Sequence, residues 1–239
     1  MKHSRRYRKI KEQIPNGKIY SVSEGLKFLQ ENSNKERLKN VEVNFSLNWT
    51  NQKNKNTLKS KIIFPNPLPP KGNLAIIKED LPEQLTNSLS ENSKVELLTI
   101  SELQSKVKRD DGKSRKKFQW GFTKLLAHPD SEKKIKPLEK ILGSKGIYPN
   151  KKNGLLTENI LEETAKFCQG EREIKTDKGG NIHVVLGKVD FGLGELEANY
   201  KSLYNKITSL KPSGWKGDFF RTITLSTNVG PGIKIFSQL

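Results

Sequence analysis

The stretch "PNPLPPKGN", residues 65–73, constrains this chain most, with four prolines and one glycine in nine residues. Proline has no amide proton and a fixed φ, so the segment cannot donate a regular ladder and reads as a linker. The rhythm of the sequence changes across it. On the N-terminal side, "SVSEGLKFLQEN" (21–32) opens with a serine cap and places Val22, Leu26 and Leu29 at helical spacing. "VEVNFSLNW" (41–49) then alternates Val41, Val43, Phe45, Leu47 and Trp49 as a half-buried strand does, and "LKSKIIF" (58–64) is its expected partner.

Beyond the linker, short apolar runs alternate with helical patterns: "LAIIKE", "LPEQLTNSLSEN", "KVELLTI", "SELQSKVKR", "FQWGFTKLLAH" and "SEKKIKPLEKILGSKG". Strands separated by helices argue for parallel crossover units in a small open α/β block over residues 71–154. After 154 the earlier pattern returns. "LTENILEETAKFCQG" is amphipathic, with Ile160, Ala165 and Phe167 near one face, and "EREIKTDKGGNIHVVLGK" is a hairpin turning at Asp177–Asn181. "LGELEANYKSLYNKITSL" is a long helix, and "FFRTITLSTNVGPGIKIF" reads strand, Gly/Pro turn, strand. The fold class expected is therefore α/β in two domains. Residues 1–70 and 155–239 make a discontinuous α+β domain, and 71–154 are inserted into it.

Charge narrows the partners. Lys and Arg number 44 against 26 Asp and Glu, a formal +18, with an isoelectric point near 9.8. Such an excess attracts polyanions and releases their counterions, which puts nucleic acid first and an anionic membrane surface second. No apolar run approaches the roughly 18–20 residues that span a bilayer. The basic start "MKHSRRYRKIKEQ" has no apolar core of a secretory signal and suits an arm lying on phosphates. The run "KVKRDDGKSRKK" (106–117) reads as a solvated loop, with an RNA contact as the alternative.

Catalytic chemistry finds little purchase. The single cysteine, Cys168, excludes an internal disulfide and a cysteine-based zinc cluster, and sits in an apolar pattern. His3, His128 and His183 fall in unrelated elements, so neither a triad nor a metal site is expected, and His183, in "NIHVV" on an expected strand, reads as structural or RNA-facing rather than catalytic. "DFG" (190–192) lacks the other parts of a kinase, "HPD" (128–130) reads as a turn, and "GSKG" (143–146) lacks the spacing of a P-loop. A nucleotide-dependent enzyme built on the central block needs a Gly-rich loop after its first strand, and "AIIKEDLPEQ" has none. No catalytic residue, metal or cofactor is expected.

"KILGSKGIYPNKKNG" resembles the signature segment of the ribosomal protein L-one family, in which Ile/Val-Leu-Gly is followed by a basic-Gly-apolar-apolar-Pro-Asn run and Lys-x-Gly. "KHSRRYR" is similar to the family's N-terminal arm, "VEVNFSL" to its first strand, "DKGGNIHVVLGK" to its hairpin and "STNVGPGIKI" to its C-terminal turn. The matches are collinear over nearly the whole chain. The resemblance implies a Rossmann-like three-layer inserted domain and a discontinuous domain that binds a folded junction of large-subunit rRNA. That junction is the mobile stalk beside the tRNA exit site, so exit-site tRNA and other ribosomal components are implied partners, with no membrane and no enzymatic role. Repression of its own message is an alternative use of the same surface.

Carried over by position, the implied rRNA contacts are Asn40, Glu42 and Asn44, then Thr227, Asn228, Val229 and Gly230, with Lys175, Lys178 and Lys188 on the hairpin. Gly143, Gly146, Pro149 and Gly154 are the implied signature turn-makers at the joint where the inserted domain exits. This chain has Asn228-Val229-Gly230 where the family usually shows Thr-Met-Gly, and Arg37 or Leu38 where it has an aromatic residue. Such drift, with lysine- and asparagine-rich usage, points to an organellar ribosome, mitochondrial before plastid, with a bacterial one as the alternative.

Overall fold

The structure, a computed structural model, describes residues 4–15, 17–33, 40–48, 58–70, 72–79, 89, 93–109, 121–213, 215 and 217–236. The first half of the chain contains α1 (Arg5–Glu12), α2 (Val22–Glu31), β1 (Asn40–Leu47), β2 (Lys59–Ile62), β3 (Leu74–Ile77), β4 (Val95–Leu98) and α3 (Ile100–Arg109). The rest contains β5 (Lys124–Leu126), α4 (Glu132–Ile135), α5 (Glu139–Ser144), α6 (Ile160–Cys168), β6 (Arg172–Lys175), β7 (Asn181–Lys188), α7 (Leu193–Ser209), β8 (Phe220–Thr227) and β9 (Ile233–Ile235). Two compact units result, Met1–Leu68 with Glu171–Leu239, and Pro69–Gly170. The chain re-enters the first unit at 170/171, where its pattern suggested 154/155. The physical reason is α6, whose Ile160 and Phe167 pack with Leu74, Ile76 and Leu126 of the second unit.

The second unit holds a three-stranded parallel sheet with β3 between β4 and β5. All four residues of β3 are buried, as expected of a strand covered on both faces. Ala75 and Ile77 join Leu103, Ile135 and Leu142 on one side, while Leu74 and Ile76 join Leu89, Ile160 and Phe167 on the other. The helix expected over 81–92 lies outside the described residues except for Leu89.

The first unit is built on a four-stranded antiparallel sheet in the order β7-β1-β8-β9. β1 alternates half-buried and buried positions along its whole length, because its apolar set Val41, Val43, Phe45 and Leu47 faces one core. Leu26 and Leu29 of α2 and Leu196, Tyr200, Leu203 and Ile207 of α7 belong to that same core. α2 begins with a capping box, Glu24 donated to by the Ser21 amide and Ser21 Oγ accepting from the Glu24 amide. The expected pairing of 58–64 with β1 is not made. β2 pairs with β6 in a separate two-stranded sheet, and β1 takes β7 and β8 as neighbours.

The Pro-rich segment is anchored at its start. Phe64 and Leu68 are buried in the first unit's core, and Asn66 is bound to the fully buried Asn199 of α7. Asn199 Nδ2 donates to the carbonyls of Asn66 and Leu186, each at 2.8 Å, and its Oδ1 accepts from the Asn66 amide at 3.0 Å. Leu186 is the residue skipped where Val41 pairs with Gly187 and Glu42 with Val185, so Asn199 satisfies a carbonyl at a β-bulge. The next position, Gly187, has no room for a side chain, because a Cβ there would meet Leu196 at 2.6 Å.

Candidate nucleic-acid interface

The two helices cover one face of the four-stranded sheet, and the alternation of β1 turns Asn40, Glu42, Asn44 and Ser46 to the other. The pairing sets Asn181, His183 and Val185 of β7 beside them on one side. Thr222, Thr224 and Ser226 of β8 stand on the other side, followed by Lys234 of β9. Period-2 sheets with one covered face are usually polar on the other, but this one carries amides, hydroxyls and an imidazole rather than a sea of charges. The bulge shifts the parity of β7, so that Lys188 stands opposite Asn40 and joins the same face.

At one end of the face, β8 runs into a tight turn over Thr227–Gly230, closed by the Gly230 amide donating to the Thr227 carbonyl at 3.0 Å. Asn228 reaches back over β1. With its amide nitrogen turned that way, it donates to the Asn40 carbonyl and to Glu42 Oε1, each at 3.1 Å. Three residues expected to touch RNA are thus tied into one hydrogen-bonded group. Val229 projects from the tip at 65% exposure. Thr227 differs from expectation. It is only 8% exposed, opposite Val41, and its hydroxyl lies where a Cβ on Gly230 would sit, at 2.4 Å. Thr227 therefore braces the turn from the core side.

At the other end, the turn before β7 is organised by Asp177. Its Oδ1 accepts from the amides of Gly179 and Asn181 at 2.8 and 2.7 Å, and its Oδ2 accepts from Asn181 Nδ2 at 3.1 Å. The bonds from Asn181, then the Gly179 amide and nearby His183, hold its carboxyl below the usual range. His183 stands next to it with Nδ1 at 2.7 Å from Asn44 Oδ1 and Nε2 at 3.7 Å from Asp177 Oδ2. A carboxyl depressed on folding stabilises the turn above its unfolded value near 3.8, and that contribution is lost as pH falls through the folded value. The protection factors of the Gly179 and Asn181 amides, taken against the intrinsic exchange rate at each pH, should therefore be larger at neutral pH and fall as pH drops below about 4. NMR-detected exchange in wild type and Asp177→Ala, the latter showing no acid-dependent loss of protection at these amides, checks this.

Lys178 is exposed at the tip of that turn, and Lys175 is exposed on β6, in the two-stranded sheet rather than on the open face. α1 presents Arg5, Arg8, Lys9 and Lys11 to solvent, while Arg6 Nη2 donates to the Asn32 carbonyl at 2.7 Å. Gly143, Gly146, Pro149 and Gly154 all lie within the residue range of the second unit, ahead of the crossing at 170/171. Gly146 and Gly154 take positive φ of 70° and 67°, which suits them as turn-makers there. Lys2, His3, Arg37, Leu38 and residues 110–117 of the basic run lie outside the described residues. Among the described residues, no three His, Cys, Asp or Glu side chains gather into a metal-holding group, and no helix is long and apolar enough to cross a membrane.

Thr222, Thr224, Ser226 and Lys234 were not singled out from sequence, whereas His183 reads there as a structural or RNA-facing histidine. The alternation in "RTITLST" and "NIHVVLGK" marks them as one face of a strand, but only the strand order shows that it is the same face as Glu42. Comparison with known proteins bears on what such a face is for. Residues 26–231 match the model of the "Ribosomal protein L1p/L10e family". The chain is 29% identical to the large ribosomal subunit protein uL1 of Thermosipho africanus over 237 residues, covering 98% of this chain and 96% of the relative. It is 30% identical to uL1 of Fervidobacterium nodosum over 235 residues, covering 98% and 95%. With uL1 of Mycoplasma capricolum it shares 30% over 237 residues, 98% of each chain.

Proposed function

This chain belongs to the ribosomal protein L1p/L10e family, and from that premise we infer that it is a non-enzymatic structural constituent of the large ribosomal subunit that binds rRNA. The relatives are large-subunit proteins matched along nearly their whole length, which supports the same role here. The observation that carries the interface is the open polar face ending in the Asn228–Asn40–Glu42 group. Its chemistry suits RNA. Amides and hydroxyls exchange hydrogen bonds with 2′-hydroxyls and base edges, the Glu42 carboxylate accepts but repels phosphate, and Lys188 and Lys178 meet phosphates at the margins.

We assign rRNA contact to Asn40, Glu42, Asn44, Asn228, Val229 and Gly230, with Lys178 and Lys188 as electrostatic partners, Lys175 as a more distant one and Thr227 as the brace beneath the turn. The target is the stalk junction, with transient contact to exit-site tRNA as that tRNA leaves. The Lys- and Asn-rich usage supports an organellar ribosome, mitochondrial before plastid, whereas the relatives named above are bacterial. Sedimentation with the ribosomes of one compartment decides between them.

Binding to a stalk-junction rRNA fragment should depend steeply on salt. If six or more phosphates are neutralised, affinity falls by about a thousandfold or more between roughly 50 and 200 mM monovalent salt. Filter binding across that range checks it, and tight binding that ignores both salt and the folding of the fragment would sink the reading.

A further inference from the structure

The helical side of the first unit holds a cavity that RNA binding at the open face leaves unused. It lies between the first turn of α2 and the middle of α7, and its lining includes Val22, Ser23, Glu197, Tyr200, Lys201 and Phe236. Its volume is about 290 Å³, close to the roughly 300 Å³ at which small-ligand sites begin. Glu197, Tyr200 and Lys201 follow one another at i, i+3 and i+4, so they share one face of α7. Val22 is half-buried and the Phe236 ring is 54% exposed, which gives the cavity an apolar wall open to water.

All three polar side chains on that face of α7 lack a hydrogen-bond or ion-pair partner among the described residues. Tyr200 is only 1% exposed, and its ring stacks against Phe45 with centroids 6.2 Å apart. Its unpaired hydroxyl is not sealed in the core, so the part of Tyr200 left open is its polar tip, at the cavity. Burial holds its ionisation above the ordinary phenol range, so at neutral pH the hydroxyl both donates and accepts. Glu197 is half-buried and Lys201 exposed one turn further on. Glu followed by Lys at i, i+4 ordinarily closes an ion pair, and here the two stand apart. A nearly buried phenol without a partner costs free energy that a ligand supplying one would return.

We propose that this cavity binds a free α-amino acid with an apolar side chain. The site is independent of the RNA interface, which lies on the opposite side of the sheet. The ligand's ammonium group pairs with Glu197. Its carboxylate turns to Lys201 and accepts from the Tyr200 hydroxyl, and the positive end of the α2 dipole borders the same space. Its side chain lies on Val22 and Phe236 and takes part of an exposed ring out of water. An anion and a cation one helical turn apart and unpaired match a zwitterion that carries both charges on one carbon. A singly charged apolar compound leaves one of them unanswered.

The test titrates the full chain with L-phenylalanine, with 3-phenylpropionate, which lacks the ammonium group, and with phenethylamine, which lacks the carboxylate, following amide signals by NMR. L-Phenylalanine should shift the signals of residues 21–23, 197–201 and 236 saturably, with a Kd on the order of 1 mM, as its few non-hydrogen atoms allow. Each analogue should bind about tenfold more weakly. Lys201→Met should weaken L-phenylalanine about tenfold without weakening phenethylamine, and Glu197→Gln should weaken it equally without weakening 3-phenylpropionate. Tyr200→Phe keeps the ring against Phe45 and should cost roughly threefold. Should that buried variant fold poorly, the two surface variants carry the same readouts. The proposal is overturned if these signals show no saturable shift up to about 20 mM. It is equally overturned if the three compounds bind alike and ignore both Glu197→Gln and Lys201→Met, and rRNA binding is untouched by either outcome.

Discussion

Gly230→Ala should weaken binding to the stalk-junction rRNA fragment by about 100-fold while moving the thermal midpoint by only a few degrees. A methyl group at residue 230 would lie 2.4 Å from Thr227 Oγ1, and Thr227 is packed on the core side with little room to turn. The turn must open to relieve the overlap. Opening it moves the Asn228 amide and the Glu42 carboxylate away from the positions in which they would meet RNA, a charge-assisted hydrogen bond worth about 1.5–3 kcal/mol, and misplaces the exposed Val229 side chain, worth about 1.5 kcal/mol if it is buried on binding. The sum of about 3–4.5 kcal/mol corresponds to two or three decades in affinity. Asn228→Ala alone removes the first part and should cost roughly tenfold. A Gly230→Ala protein that binds within threefold of wild type would mean that the turn does not organise the interface.

That turn was legible in sequence as Gly/Pro punctuation after an alternating strand, and so was the strand that carries Glu42. The union of the two was not. Nothing local in "VEVNFSLNW" says that its neighbours come from the far end of the chain, and the nearer run "LKSKIIF" was the natural choice of partner. Long-range strand order follows from which apolar faces share a core, and a single sequence prints each face but not its match. The inserted unit shows the opposite case. Its parallel sheet follows from the alternation of short apolar runs with helical ones, a local signal that needs no distant partner. Its border was harder to see, because α6 carries the same amphipathic pattern whichever core it joins. Thr227 shows the limit for single residues: the family resemblance implies a contact there, and strand parity sets the side chain on the core side.

Asn199 was invisible for a related reason, and it should carry the largest stability effect in the first unit. In "ELEANYKSLY" it reads as an indifferent helical residue, yet its side chain is fully buried and completely bonded. Asn199→Leu preserves the volume while stranding the Asn66 amide, the Asn66 carbonyl and the bulge carbonyl of Leu186. At about 1–3 kcal/mol for each buried group left unpaired, the loss should reach roughly 3 kcal/mol or more. That is a large share of the roughly 5–15 kcal/mol that folds a domain, and should lower the melting temperature by about 10 °C. Asn205→Ala, exposed on the same helix, should stay within about 0.5 kcal/mol. The effect should extend to RNA. The bulge that Asn199 supports is what brings Lys188 opposite Asn40, so a β7 that straightens would turn Lys188 toward the core and take a cation from the face. Urea unfolding and RNA binding measured on the same preparation should therefore fall together in Asn199→Leu, at a temperature where the variant is still folded. If stability drops while affinity and salt slope hold at wild-type values, the bulge serves the core alone and Lys188 is not held on the interface by it.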